Sequence, residues 1–124
     1  MAQPNMPAVT AVIVAAGASR RMGFDKLSFR LPDGRTVLET SCAALAAHPA
    51  VTQLVLVCGG NRAACEVIAV HCPKPCTVVQ GGATRADSVR SGLAAAEGEL
   101  VAIHDAARPF VSEAVITAVL TAAA

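Results

Sequence analysis

Four short apolar runs recur along the chain, and each is followed by a segment with helical or loop-then-helix character. The runs are Thr10–Val14, Gln53–Val57, Thr77–Gln80 and Leu100–His104. The first is continuous rather than alternating and ends in small residues, which is typical of a strand buried on both faces of a sheet. The pattern therefore predicts four strands.

Apolar positions with helical spacing fill the intervals between these runs. The predicted helices are Val37–Ala47, Arg62–Val70, Thr84–Ala96 and a last one that begins at Ser112 and runs into the terminal alanines. His48-Pro49, Pro73 and Gly98 end the first three, as expected of residues that break helices. Four strand–helix units predict an α/β fold, a Rossmann-like three-layer sandwich with a mainly parallel sheet.

The architecture predicts where function lies, because open parallel sheets bind ligands beyond the carboxyl ends of their strands. Three polar loops follow the first, third and fourth strands: Ala15–Lys26, Gly81–Ser88 and Asp105–Phe110. We expect them to converge at one edge. The loop Cys58-Gly59-Gly60 after the second strand carries no comparable charges and is predicted to be structural.

Composition narrows the class of ligand. The 124 residues fit a single domain, 1–124, with ten basic and nine acidic residues and a net charge of +1. Such a balance disfavours nucleic acid as a partner. Three Phe and no Trp or Tyr leave little surface for stacking bases, so a small charged substrate fits better.

The five cysteines are scattered, form no C-x-x-C pair and do not have zinc-ligand spacing with the histidines. They predict reduced thiols buried as small hydrophobes, in a cytoplasmic protein. No apolar stretch approaches the roughly 20 residues that a membrane-spanning helix needs, and nothing resembles a targeting signal.

The first loop is the strongest candidate for a phosphate site. Gly17 and Gly23 allow turns whose N–H groups face an anion, while Arg20, Arg21 and Lys26 add positive charge. Neither the Walker pattern nor the dinucleotide fingerprint G-x-G-x-x-G is present, which disfavours a kinase-type or NAD site.

The other two loops each have a functional and an ordinary interpretation. Gly81 and Gly82 can bring backbone groups against a base edge with Ser88 completing the contact, or they form a simple glycine turn before a helix capped by Thr84. Asp105 fits a Mg²⁺ ligand beside phosphates, or it pairs at the surface with Arg108.

Three motifs carry a family resemblance. They are Ala15-Ala16-Gly17-x-x-Arg20-Arg21-Met22-Gly23, Gly81-Gly82-x-x-Arg85-x-Asp87-Ser88-Val89-x-x-Gly92-Leu93 and His104-Asp105-Ala106-Ala107-Arg108-Pro109-Phe110-Val111. Together they resemble the 2-C-methyl-D-erythritol 4-phosphate cytidylyltransferases of the non-mevalonate isoprenoid pathway. The first motif is shared widely among nucleotidyltransferases, and the other two narrow the choice.

The resemblance implies a nucleotidyltransferase-type fold that transfers CMP from CTP to methylerythritol phosphate, releases pyrophosphate and uses Mg²⁺ or another divalent cation. It implies that Arg21 and Lys26 stabilise the transition state, Asp105 binds the metal and Arg108 contacts the second substrate. The residues implied for the nucleotide are Ala15, Ala16, Gly17, Arg20, Gly81, Gly82, Arg85 and Ser88, of which Ala15, Ala16, Gly82 and Ser88 read the cytosine.

The chain also departs from the family. The family usually has Pro-Lys-Gln after a slightly longer loop, where this chain has Phe24-Asp25-Lys26-Leu27. The difference brings Lys26 closer to Arg21 in the sequence, and the role implied for Lys26 depends on it. The resemblance covers about the first half of the family's domain, so the C-terminal part is expected to be missing. In the family, that part contains the groups that hold the sugar phosphate and the arm that makes the enzymes homodimeric. Transferase activity is therefore expected to be impaired.

Three alternatives stay open. The chain could be a cytidylyltransferase for ribitol 5-phosphate, a nucleotidyltransferase for a molybdenum cofactor precursor, or a CTP-binding module without catalysis.

Overall fold

The part of the chain that the structure describes is built on a four-stranded parallel sheet with the strand order β3-β2-β1-β4. A computed structural model describes residues 8–16, 27, 29–97 and 100–106. The strands are β1 (Val9–Val14), β2 (Val51–Cys58), β3 (Cys76–Gln80) and β4 (Leu100–Asp105). All four predicted strands are confirmed, and β2 is longer than predicted at both ends. The apolar β1 lies in the sheet interior, paired with β2 on one side and β4 on the other.

Within the described ranges, three helices connect the strands: α1 (Val37–Ala46), α2 (Arg62–His71) and α3 (Arg85–Ala95). Each lies within one residue of its predicted bounds. Thr36 begins α1 with a capping box, and the Thr84 hydroxyl accepts a hydrogen bond from the Asp87 N–H at the start of α3, as predicted. The helix predicted from Ser112 onwards lies outside the described residues.

Two apolar clusters, one on each face of the sheet, make this a three-layer sandwich. One cluster joins alternate residues of β1 and β2 to α1 and to Cys65 of α2. The other joins Val12, Val14, Val55 and Val57, against which α3 packs through Val89 and Ala95. The predicted Rossmann-like arrangement is confirmed.

Small side chains permit this close packing. A Cβ on Gly92 in α3 would collide with Val12 of β1 and would lie 3.0 Å from Val57 Cγ2. The side chain of Phe29, by contrast, is 60% exposed. Valine, alanine and glycine thus bring α3 close to the sheet where aromatic residues would hold it away.

All five cysteines are free thiols. Cys42, Cys58 and Cys65 are buried as predicted, whereas Cys72 and Cys76 are half-buried. Burial raises the pKa of Cys76 to about 12 and raises that of Cys42 as well. Both shifts disfavour the thiolate, which is the nucleophilic form of cysteine.

Within the described part of the chain, no helix has the length and apolar character needed to cross a membrane.

Candidate functional site

The loops that follow β1 and β3 meet at the carboxyl edge of the sheet, as the sequence predicts. Gly81 lies at the meeting point, and its N–H donates to Cys58 O at the end of β2 at 2.8 Å, which ties the β3 loop to the sheet. A Cβ placed on Gly81 would lie 2.7 Å from both Ala16 Cβ and Ser88 Oγ. Real Cβ atoms do not approach other atoms so closely, so this contact requires glycine.

Ser88 lies in the first turns of α3 and faces the two glycines. Its hydroxyl accepts a hydrogen bond from the Gly82 N–H at 3.2 Å, and the residue is only 2% exposed. A Cβ on Gly82 would collide with Asp87, so the second glycine is also tightly held. The predicted residues Ala16, Gly81, Gly82 and Ser88 therefore form one connected group.

Asp105 brings the end of β4 to the same edge. It lies in register with Val14, the last residue of β1, and its Oδ2 is 4.0 Å from Arg85 Nη1 at the start of α3. The side chains of Arg85 and Asp105 are 61% and 36% exposed, so their attraction is screened by water and contributes little to stability. Both are accessible to a ligand at this edge.

Ala15 is the first residue of the β1 loop and is almost fully buried. Its N–H donates to Val57 O of β2 at 2.8 Å, so its backbone remains tied to the sheet. The other predicted site residues, Gly17, Arg20, Arg21, Lys26 and Arg108, lie outside the described residues, as do the remainder of the first and last loops.

Two residues near the site escaped the sequence analysis because the loop after β2 was predicted to be structural. The Asn61 carboxamide accepts from Gly59 N–H at 2.9 Å and donates to Ala15 O at 3.3 Å. Gln80 donates to the carbonyl oxygens of Cys58 and Gly59 at 3.3 and 3.4 Å. An Asx turn would join the Asn61 side chain to the backbone two residues further on rather than to Gly59, and nothing in the sequence points to the contact with Ala15.

Ser41 of α1 is a third missed residue. It is fully buried, and its hydroxyl donates to Ala106 O at 2.6 Å. Ala106 N–H in turn donates to Val14 O at 3.1 Å. The residue after Asp105 is therefore held on both its polar groups, which fixes the point where the last loop leaves β4.

The donor set at this edge fits a hydrated magnesium ion. Mg²⁺ usually takes one or two protein carboxylates and fills its remaining positions with phosphate oxygens and water. The described residues contain no cluster of three or more His, Cys, Asp or Glu side chains able to hold a metal. The accessible carboxylate of Asp105, beside glycine backbone and the Arg85 guanidinium, suits a metal that arrives with a phosphate ligand.

A sequence profile of the 2-C-methyl-D-erythritol 4-phosphate cytidylyltransferase (IspD) family matches residues 9–124. A bifunctional IspD/IspF enzyme of Anaeromyxobacter dehalogenans is 44% identical over 117 residues, which are 94% of this chain and 30% of the relative. The 2-C-methyl-D-erythritol 4-phosphate cytidylyltransferase of Aeromonas hydrophila is 37% identical over 119 residues, 94% of this chain and 49% of that protein.

Solved structures show the same likeness. The 4-diphosphocytidyl-2C-methyl-D-erythritol synthase of Anaerococcus prevotii superposes with a TM-score of 0.80 at 26% identity, covering 94% of this chain and 51% of that one. The cytidylyltransferase of Thermus thermophilus gives 0.67 at 32% identity, covering 94% and 49%. The chain thus spans about half the length of the single-function relatives that it matches.

Proposed function

The chain belongs to the 2-C-methyl-D-erythritol 4-phosphate cytidylyltransferase family, and from that premise we propose that it provides the CTP site for CMP transfer to 2-C-methyl-D-erythritol 4-phosphate. Pyrophosphate is the second product of this reaction. The observation that carries the proposal is the close approach of Gly81 to Ala16 and Ser88, beside Asp105 and Arg85. It places backbone groups, a hydroxyl and two opposite charges at one edge of the sheet.

The glycine contact supports recognition of the cytosine base. The N–H groups of Ala15 and Gly82 already donate to Val57 O and Ser88 Oγ. The groups offered to a base are therefore the carbonyl oxygens of Ala15, Ala16 and Gly82, each with two lone pairs, and the hydroxyl proton of the buried Ser88. A base edge is recognised by a few such groups in a largely preformed pocket. Since these groups are already held by hydrogen bonds, little ordering is needed when a nucleotide binds.

The charged residues serve the phosphates in this proposal. Attack of the sugar phosphate on the α-phosphorus of CTP gathers negative charge at the reacting centre, and positioned cations lower that barrier. We assign this role to Arg21 and Lys26, with Gly17, Gly81, Arg20 and Arg85 contacting the nucleotide and Arg108 the second substrate. These assignments rest on the motifs quoted above and on the position of Arg85.

Asp105 is the residue that would hold a divalent cation. When bound, the cation would draw the CTP phosphates together and neutralise part of their charge. Arg85, 4.0 Å from Asp105, supplies a second positive group on the same side. In this proposal Asp105 would hold the cation, and Arg85 would contact the phosphates directly.

Titration calorimetry with CTP and Mg²⁺, followed by a pyrophosphate-release assay with methylerythritol phosphate, tests the proposal. We expect CTP to bind to the 124-residue chain and Mg²⁺ to strengthen that binding. In Asp105→Asn the strengthening by Mg²⁺ should disappear, whereas Asp33→Asn, the same change in an exposed turn, should bind like the wild type. Failure of the wild type to bind CTP would overturn the proposal.

The same assay separates the alternatives. Because the chain spans about half the length of its single-function relatives, we expect pyrophosphate release far slower than that of a full-length relative assayed beside it. CTP binding with no release at all favours a CTP-binding module, and release with ribitol 5-phosphate but not methylerythritol phosphate favours the ribitol enzyme.

A further inference from the structure

The β1–β2 ladder ends in an unusual way beside the proposed base site. In a parallel ladder, a residue exchanges hydrogen bonds with the two neighbours of its partner. Ala15 N–H donates to Val57 O at 2.8 Å, so the next bond of the ladder would run from Gly59 N–H to Ala15 O. Gly59 N–H instead donates to Asn61 Oδ1 at 2.9 Å.

The Asn61 carboxamide takes the place of that missing bond. Its Oδ1 accepts from Gly59 N–H and its Nδ2 donates to Ala15 O at 3.3 Å. An amide side chain has both the acceptor and the donor that this position needs. The orientation of the amide is fixed by its partners, since a backbone N–H only donates and a carbonyl oxygen only accepts.

The Asn61 amide determines how the chain after β1 and the chain after β2 are joined. Ala15 and Gly59, which a direct bond would join, are instead bridged by the Asn61 carboxamide. Gln80 holds the peptide group that carries the Gly59 N–H, because its Nε2 donates to Cys58 O at 3.3 Å, and it also reaches Gly59 O at 3.4 Å. The bridge is therefore held from β2 and β3 together.

We propose that Asn61 is a positioning residue for the nucleotide site. Its amide sets the distance between the Ala15 and Gly59 peptides and thereby orients the Ala15–Ala16 backbone toward a pyrimidine base. The inference rests on the proposed function, in which that backbone meets the cytosine. Asn61 touches the backbone and not the reacting atoms, so its effect is on nucleotide affinity and base selectivity.

A helix-capping role is the competing explanation, because Asn61 occupies the N-cap position of α2. Its side chain, however, makes no capping hydrogen bond to that helix. Aspartate is as good an N-cap as asparagine and favours the helix dipole, so Asn61→Asp leaves a capping role intact. A carboxylate cannot donate to Ala15 O, so the same variant breaks the proposed bridge.

The experiment compares wild type, Asn61→Asp and Asn61→Ala, with Arg62→Ala as the neighbouring control whose side chain only pairs with Glu66 on the surface. CTP and UTP affinities are measured by titration calorimetry and Tm by thermal unfolding. We expect both Asn61 variants to bind CTP about tenfold more weakly, the scale of one or two lost hydrogen bonds. Their preference for CTP over UTP should also fall, while the Tm of Asn61→Asp stays at or above that of wild type.

Other results would count against the inference. Wild-type CTP affinity in Asn61→Asp would overturn it and leave the proposed function standing. Weaker binding accompanied by a fall in Tm and an unchanged CTP preference would assign Asn61 a structural role only. Absence of CTP binding by the wild type would overturn the proposed function and the inference together.

Discussion

The packing of the site around Gly81 depends on the absence of a side chain at this position. Its α-carbon lies where the backbone of β3 leaves the sheet, against Ala16 from the first loop and Ser88 from α3. A methyl group would have to displace both. The nearby Gly60 is different, since nothing lies within 4 Å of the position its Cβ would take.

Replacing Gly81 with alanine should therefore harm both stability and nucleotide binding. Crowding a well-packed site typically costs about 1–3 kcal/mol, and here the strain falls on Ala16 and Ser88. Urea unfolding and CTP titration of Gly81→Ala would measure the two effects. Gly60→Ala is the matched control and should behave like the wild type, so equal behaviour of the two variants would contradict the role assigned to Gly81.

At the scale of residues, sequence reasoning located Gly81, Gly82, Ser88 and Asp105 but missed Asn61. The first four stand beside recognisable turns and strand ends, where local chemistry limits what a residue can do. Asn61 acts on Ala15, which is 46 residues away in the chain. A contact of this kind depends on how two strands align, and a single sequence carries no local sign of it.

Among the elements, α1 has the most complete start. Thr36 Oγ1 accepts from Glu39 N–H at 3.1 Å, and Glu39 Oε1 accepts from Thr36 N–H at 2.8 Å. Two hydrogen bonds with Thr36 lower the pKa of Glu39 below its usual 4.5. The larger effect comes from the Thr36 backbone and the smaller one from its side chain. The ionised carboxylate thus stabilises the folded chain.

The lowered pKa of Glu39 fixes the sign of a pH dependence. Its contribution is present above about pH 4.5 and is lost as the pH falls through the lower pKa of the folded state. Glu39→Gln should be less stable than wild type at neutral pH, with the difference shrinking under acid conditions. Urea unfolding across this range measures it. Glu66→Gln, at an exposed position of α2, is the control, and a difference that does not change with pH would contradict the assignment.

Element types were predictable because apolar runs and helix-ending residues are local signals. The positions at which elements begin and end were less predictable, as β2 shows. It begins at Val51 because Val51 is the partner of Val9, and it ends at Cys58 because Cys58 is the partner of Gln80. The pairing with neighbouring strands therefore decides where β2 begins and ends.

Across the whole molecule, Ser41 connects α1 to Ala106, the residue that follows β4. Its hydroxyl reaches Ala106 O, which lies 65 residues further along the chain, and the contact is buried. Without that hydroxyl, the Ala106 carbonyl would lose a partner in a place that water reaches poorly. Buried groups left unpaired in this way cost about 1–3 kcal/mol.

Ser41→Ala should accordingly destabilise the fold by about 1–3 kcal/mol relative to Ser91→Ala. Ser91 is also in a helix, but its hydroxyl bonds to Asp87 O of the same helix. Both variants gain the same helix propensity, so the difference isolates the long-range contact. Chemical unfolding of the two variants provides the measurement, and equal stabilities would show that the Ser41 contact contributes nothing net.

The position of β1 has a consequence for how the chain is made. Its outer partner β4 pairs with it from Leu100 onward, so β1 leaves the ribosome long before that neighbour exists. During this interval one edge of the apolar strand Val9–Val14 is open, and such edges pair readily with other chains. We therefore expect the chain to be most prone to aggregation before β4 docks, and we expect changes that delay this docking to lower the yield of folded molecules even when the finished fold is stable.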